Sequence, residues 1–79
     1  MTSDEKLATA FRQALGLPGD YPVTGLDYMQ HPNWDSVAHM QLINHIEQAF
    51  GIMIDFDDVI GLSSYTAARG ILEKNGVQF

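Results

Sequence analysis

The stretch that most restricts this chain is Asn33-Trp34-Asp35-Ser36-Val37-Ala38-His39-Met40-Gln41-Leu42-Ile43-Asn44-His45-Ile46-Glu47-Gln48-Ala49-Phe50. Its apolar residues recur at three- and four-residue spacings, the period of a helix with one buried face. On a helical wheel Met40, Ile43, Ile46 and Phe50 fall close together, and Leu42 and Ala49 widen the stripe. Val37, Gln41, Asn44, His45 and Gln48 are placed on the water side. Either Asp35 or Ser36 can cap the free N–H groups of the first turn. Gly51 stops the helix after Phe50. A chain built around this element must supply other helices to cover its stripe.

The flanking segments do so. Thr2 and Glu5 have capping-box spacing, and the helix they open, Asp4 to Leu15, places Leu7, Phe11, Ala14 and Leu15 on one face. Gly16 and Pro18 end it. Residues 16–35 hold all three prolines and no sustained period, so they read as a long loop. Leu17, Tyr21, Val23, Leu26, Tyr28, Met29 and Trp34 anchor it, with a single helical turn expected around Leu26 to Met29. Ile52-Met53-Ile54 reads as a buried connector, and Asp55 to Ile60 as a short third helix capped by Asp55. Ser63 or Ser64 caps a fourth helix with Tyr65, Ala68, Ile71 and Leu72 inside and an Arg69–Glu73 pair on its surface. Gly70 weakens that helix relative to alanine, and its lack of a side chain could instead permit close packing or room for a bound group. Lys74 and Asn75-Gly76 close it. The expected fold is a single all-α domain over residues 1–79: a small antiparallel four-helix bundle with a short third helix and a long loop between helices 1 and 2.

Composition narrows the partners. Apolar residues make up 46% of the chain, enough for a core. With no cysteine, stability has to come from helix packing. A net charge of −6 argues against nucleic acid, whose phosphates it repels, and favours a partner with a basic patch. No apolar run approaches a membrane span, and Met1-Thr2-Ser3-Asp4-Glu5 lacks the features of a signal peptide. A cytoplasmic monomer that does not engage a membrane is the expectation.

Asp35-Ser36-Val37, leading into an apolar-periodic helix that ends Phe50-Gly51, resembles the Asp-Ser-Leu signature of acyl carrier proteins. The order of helix, long loop, helix, short helix and helix extends that likeness over nearly the whole chain. The resemblance implies that Ser36 carries 4′-phosphopantetheine, installed by a phosphopantetheinyl transferase, and that Asp35 helps place the transferase's Mg²⁺. It implies a non-catalytic protein holding acyl groups as thioesters and delivering them from acyl-loading to acyl-transferring enzymes. Met40, Ile43, Ile46, Ile54, Leu62, Ala68 and Ile71 are the residues expected to line a space for the acyl chain, with ordinary core as the plainer reading. Val37, Ala38, Gln41, His45 and Gln48 are the expected docking residues. Trp34 is read as a loop anchor or as part of that contact surface.

The chain departs from the fatty-acid pattern, in which the second helix is acidic. Here Glu47 is the only acid between Ser36 and Phe50, and the others lie mostly at Asp4, Glu5, Asp20, Asp27, Asp55, Asp57 and Asp58. That points to a dedicated partner set. A peptidyl or aminoacyl carrier is one alternative, and a helical interaction module without a prosthetic group is another. His39 and His45 raise the further idea of pH-sensitive docking. Asp35, Ser36 and His39 have the residue types of a hydrolytic triad, but neighbours on one helix cannot form the required line. His31, His39 and His45 share no helix face for a metal, and Asp55 to Asp58 lacks the glycine and glutamate of a calcium loop. No metal site is expected.

Overall fold

The computed structural model describes all 79 residues and contains four helices: α1 (Ser3–Leu15), α2 (Ser36–Phe50), α3 (Phe56–Gly61) and α4 (Tyr65–Lys74). They form a small all-α bundle of 30 × 28 × 19 Å around one core. The α1–α2 pair is its main helix–helix contact.

Helix α1 begins in the expected capping box. Thr2 Oγ1 accepts from the Glu5 N–H at 3.1 Å, and Glu5 Oε1 accepts from the Thr2 N–H at 3.3 Å. Hydrogen bonds from the Thr2 backbone and side chain hold the Glu5 carboxyl below its ordinary range. Gly16 and Gly51 end α1 and α2 at φ values of 66° and 65°, a left-handed conformation that glycine adopts without a steric penalty.

The loop between α1 and α2 is tied down throughout. Val23, Leu26 and Trp34 are buried, Arg12 Nε donates to Tyr21 O at 2.9 Å, and Asn33 Nδ2 donates to Leu15 O at 3.0 Å. The expected helical turn around Leu26 to Met29 is not formed. Asp27 instead makes an isolated antiparallel bridge with Ser64, and the Tyr28 N–H donates to Ser63 O at 2.8 Å. Pairing with another segment takes the hydrogen-bonding groups that a helical turn would use internally. The chain then reverses through Met29 at φ 65°, and its side chain is exposed rather than anchoring the loop.

The connector after α2 is only partly buried. Ile54 is in the core, Ile52 is half-buried and Met53 is exposed, as expected where extended backbone sends successive side chains to opposite sides. Asp55 occupies the N-cap position of α3 but makes no side-chain capping bond. Asp58 instead accepts from Lys74 Nζ at 2.7 Å, which joins α3 to α4 and raises the lysine's pKa. Ser64 caps α4 by accepting from the Ala67 N–H at 3.0 Å. Arg69 does not pair with Glu73: its Nε lies 3.6 Å from Asp4 Oδ1, and its guanidinium covers the Phe79 ring at 4.9 Å. A Cβ built on Gly70 would meet nothing within 4 Å, so close packing does not explain the glycine.

The buried face of α2 differs from the expected stripe. His39, Leu42, Ile43 and Ile46 are buried and Phe50 is half-buried, the i, i+3, i+4, i+7, i+11 series of one helix face. Met40 and Ala49 fall on the flanks of that face and are exposed. His39 sits on the buried axis because both of its ring nitrogens find partners there, which removes the usual cost of burying a polar ring.

Candidate functional site

Asp35 and Ser36 divide the start of α2 between them. Asp35 is the N-cap, and its Oδ1 accepts from the Ala38 N–H at 2.9 Å. Ser36 is therefore the first helical residue. It is exposed, and its hydroxyl is released from capping. The first turn of α2 holds no acidic residue, whereas α1 has Asp4 and Glu5 there and α3 has Asp57 and Asp58. The opening of α2 thus keeps its partial positive charge, with the capping carboxylate beside it.

The Ser36 hydroxyl has one side-chain neighbour, the Tyr28 hydroxyl, at 3.3 Å. Tyr28 belongs to an aromatic cluster that runs from the surface to the core. Its ring centroid is 4.9 Å from that of His39 and 5.9 Å from that of Trp34. Trp34 has no exposed surface and stands edge-on to Phe11 at 5.4 Å. Trp34 Nε1 donates to His39 Nδ1 at 3.0 Å, so His39 Nε2 carries the proton and donates to Val59 O at 2.8 Å. The loop, α2 and α3 are joined beneath Ser36 by this one imidazole.

Tyr28 and His39 are the residues that reasoning from the sequence missed in these roles. For His39 the signal was present, because it lies in register with Leu42, Ile43 and Ile46. Its burial removes it from any docking surface, and with it the idea of His39 as a pH-sensitive docking group. For Tyr28 no local pattern pointed to Ser36, since the contact depends on how the loop returns across α2. Trp34 is an anchor and is not part of a contact surface.

Around Ser36, the residues Val37, Met40, Gln41 and Asn44 line a shallow, mainly apolar concavity of about 460 Å³ on the outer side of α2. Two of the expected docking residues, Val37 and Gln41, are thus brought to the serine. Gln48 is exposed further along and donates to Asn44 Oδ1 at 3.3 Å. Ala38 is half-buried. His45 is also half-buried and lines a different concavity, with Lys6, Thr9, Ala10 and Gln13 of α1. Met53, Phe56 and Ile60 of the connector and α3 are also exposed apolar side chains, as are Val37 and Met40.

Of the residues considered for an acyl-chain space, Ile43, Ile46, Ile54, Leu62 and Ala68 are buried in one packed core. Ile71 is half-buried and Met40 lies outside, beside Ser36. The three concavities in the molecule open at the surface, and only Met40 of this set lines one. A chain held among these residues would have to part the helices.

The largest concavity, about 720 Å³, lies along α1, α4 and the loop. Its polar groups are only partly paired, and the buried Arg69 Nε makes no hydrogen bond. Tyr65 donates to Asp4 Oδ1 at 3.0 Å, Arg69 faces the same carboxylate, and Arg12 is engaged with Tyr21. Desolvation of the phenol, then its bond to Asp4, pushes the Tyr65 pKa up to about 12. None of the expected functional residues reaches this groove.

A comparison of the chain with protein-family models, curated proteins and solved structures finds no match in any of the three. No group of three or more His, Asp or Glu side chains is arranged to hold a metal. No helix is long and apolar enough to cross a membrane. The exposed hydroxyl at the start of α2, with its carboxylate and phenol neighbours, remains the most chemically distinct point on the molecule.

Proposed function

We propose that the protein is a carrier that bears 4′-phosphopantetheine on Ser36 and takes acyl groups, as thioesters, between partner enzymes. The observation that carries this reading is the division of labour at the start of α2. A serine that only capped the helix would spend its hydroxyl on the backbone. Here Asp35 does the capping and Ser36 presents its hydroxyl to solvent. The residues fit the group. The root of such an arm is a phosphodiester, and a helix start with free N–H groups and no acid in its first turn favours an anion, by roughly 0.3–1 kcal/mol at an exposed site. When bound, the arm supplies a thiol on a flexible tether, and that thiol holds the acyl group.

The chain's own residues then act as a platform. Asp35 fixes the helix start, and its second carboxylate oxygen is available to a transferase-bound Mg²⁺. Val37 and Gln41 are positioned to meet a transferase or an acyl-handling enzyme next to the serine, and Met40 extends that contact. The protein needs no catalytic group of its own in this role. A carrier of aminoacyl or peptidyl groups would use the same residues and differ only in cargo.

Exposed apolar side chains on α2, the connector and α3 (Val37, Met40, Met53, Phe56 and Ile60) favour a second reading, a helical interaction module with no prosthetic group. Intact mass separates the two. Incubation with coenzyme A, Mg²⁺ and a broad-specificity phosphopantetheinyl transferase is expected to add one phosphopantetheine to the wild type and none to Ser36→Ala. Folded, initially unmodified wild-type protein that gains no mass with several transferases would leave the interaction module as the reading.

A further inference from the structure

We propose that Tyr28 is a positioning residue for Ser36, exchanging hydrogen-bond roles with it when the serine is modified. The inference rests on Ser36 being the attachment residue. The two hydroxyl oxygens are 3.3 Å apart, and either can donate. Before modification the Ser36 O–H donates to the phenol oxygen, and that fixes an otherwise free rotor. A fixed rotor keeps an oxygen lone pair turned toward solvent, where an electrophile arrives. In the transfer, Ser36 Oγ forms a bond to the β-phosphorus of coenzyme A. The bond from that phosphorus to the oxygen leaving with adenosine 3′,5′-bisphosphate breaks, and the serine proton passes to a base of the transferase. Afterwards Ser36 Oγ is an ester oxygen that can no longer donate. The Tyr28 O–H then turns donor, toward that oxygen or a phosphoryl oxygen beside it.

Such a role needs a phenol that does not move, and Tyr28 is held at both ends. Its backbone N–H is bonded to Ser63 O at 2.8 Å, and Asp27 beside it bridges Ser64. The next residue, Met29, turns back at φ 65° and donates its N–H to Trp34 O at 3.2 Å. The ring packs on His39 and Trp34, and His39 is itself locked through both nitrogens. A purely structural tyrosine in this cluster would need only its ring. The hydroxyl makes its one side-chain hydrogen bond to Ser36, which is what sets Tyr28 apart from a phenylalanine.

The test compares wild type, Tyr28→Phe and Tyr21→Phe. The last removes a loop hydroxyl bonded to His31 at 3.1 Å and serves as control. Intact mass first establishes that the wild type is modified. If it is not, the carrier reading fails and this inference fails with it. With modification established, Tyr28→Phe is expected to lower kcat for the transferase roughly 2- to 10-fold, the value of one hydrogen bond. Its KM as protein substrate should stay within about 2-fold, because the docking surface is intact. In the modified protein, the phosphodiester ³¹P resonance is expected to shift in Tyr28→Phe and to stay in place in Tyr21→Phe. An unchanged kcat overturns the role before transfer, and an unmoved ³¹P resonance overturns the role after it. Circular dichroism checks that the variant is folded. A measurement that needs no variant is the Tyr28 Cζ chemical shift of wild-type protein, which should move on modification; a constant value overturns the exchange of roles. In each of these last cases the carrier reading stands.

Discussion

Replacing His39 with leucine probes the junction beneath Ser36. The substitution roughly keeps the side chain's bulk and removes two hydrogen bonds, from Trp34 Nε1 at 3.0 Å and to Val59 O at 2.8 Å. The two losses differ in weight. Val59 is half-buried and its carbonyl can turn to water, so about 0.5–1.5 kcal/mol is lost there. Trp34 has no exposed surface, and its indole N–H would be left unpaired in the core at about 1–3 kcal/mol. Burying leucine in place of imidazole returns about 1 kcal/mol. The net loss is about 0.5–3.5 kcal/mol, out of roughly 4–12 kcal/mol expected for a domain of this size. The single tryptophan reports the transition by fluorescence, and the urea midpoint should fall by about 0.5 M or more. A double-mutant cycle then isolates the cause. Trp34→Phe removes the stranded donor, so His39→Leu should cost at least about 1 kcal/mol less in that background, measured by circular dichroism. A single-variant loss under about 0.5 kcal/mol, or additivity within about 0.3 kcal/mol, would refute the claim that this imidazole joins the loop to α2 and α3.

Two further outcomes are expected. Asp35→Asn should keep the cap, since asparagine caps as well as aspartate, and change stability by less than about 1 kcal/mol; transferase turnover should nonetheless fall at least about 10-fold if the carboxylate places Mg²⁺, and an unchanged rate would reduce Asp35 to a cap. Tyr65 binds its proton more tightly when folded, with its pKa raised from 10.0 to about 12. Its contribution is therefore complete below pH 10.0 and is lost as pH rises through about 12. Tyr65→Phe should lose about 0.5–1.5 kcal/mol near neutral pH and show a shallower alkaline decline, measured by urea unfolding across the alkaline range; an equally steep decline would assign the effect to other groups.

The helices were legible in the sequence because their determinants are local. Thr2 with Glu5, Gly16, Asp35, Gly51 and Ser64 all act within a turn of where they stand, and each does what its residue type suggests. What could not be read depends on segments far apart in the chain. Asp27 pairs with Ser64, and next to that bridge the chain makes a tight turn through Met29 in place of the expected helical turn, with Met29 exposed and the Tyr28 hydroxyl beside Ser36. His39 shows the intermediate case. Its position on the buried axis follows from spacing, but a polar ring there is tolerable only because Trp34 and Val59, from the loop and from α3, supply a donor and an acceptor on its two sides. The same distinction divides the site. Ser36 at the helix start was legible, and the sequence narrowed its cap to Asp35 or Ser36 itself, while the phenol beside the hydroxyl and the imidazole beneath it come from the way the loop closes over the helix. If Ser36 is the functional point, its motif sets what chemistry happens there, and Tyr28 and His39 set how firmly the hydroxyl is held. A chain with the same Asp-Ser-Val stretch and a differently folded loop would keep the first property and lose the second.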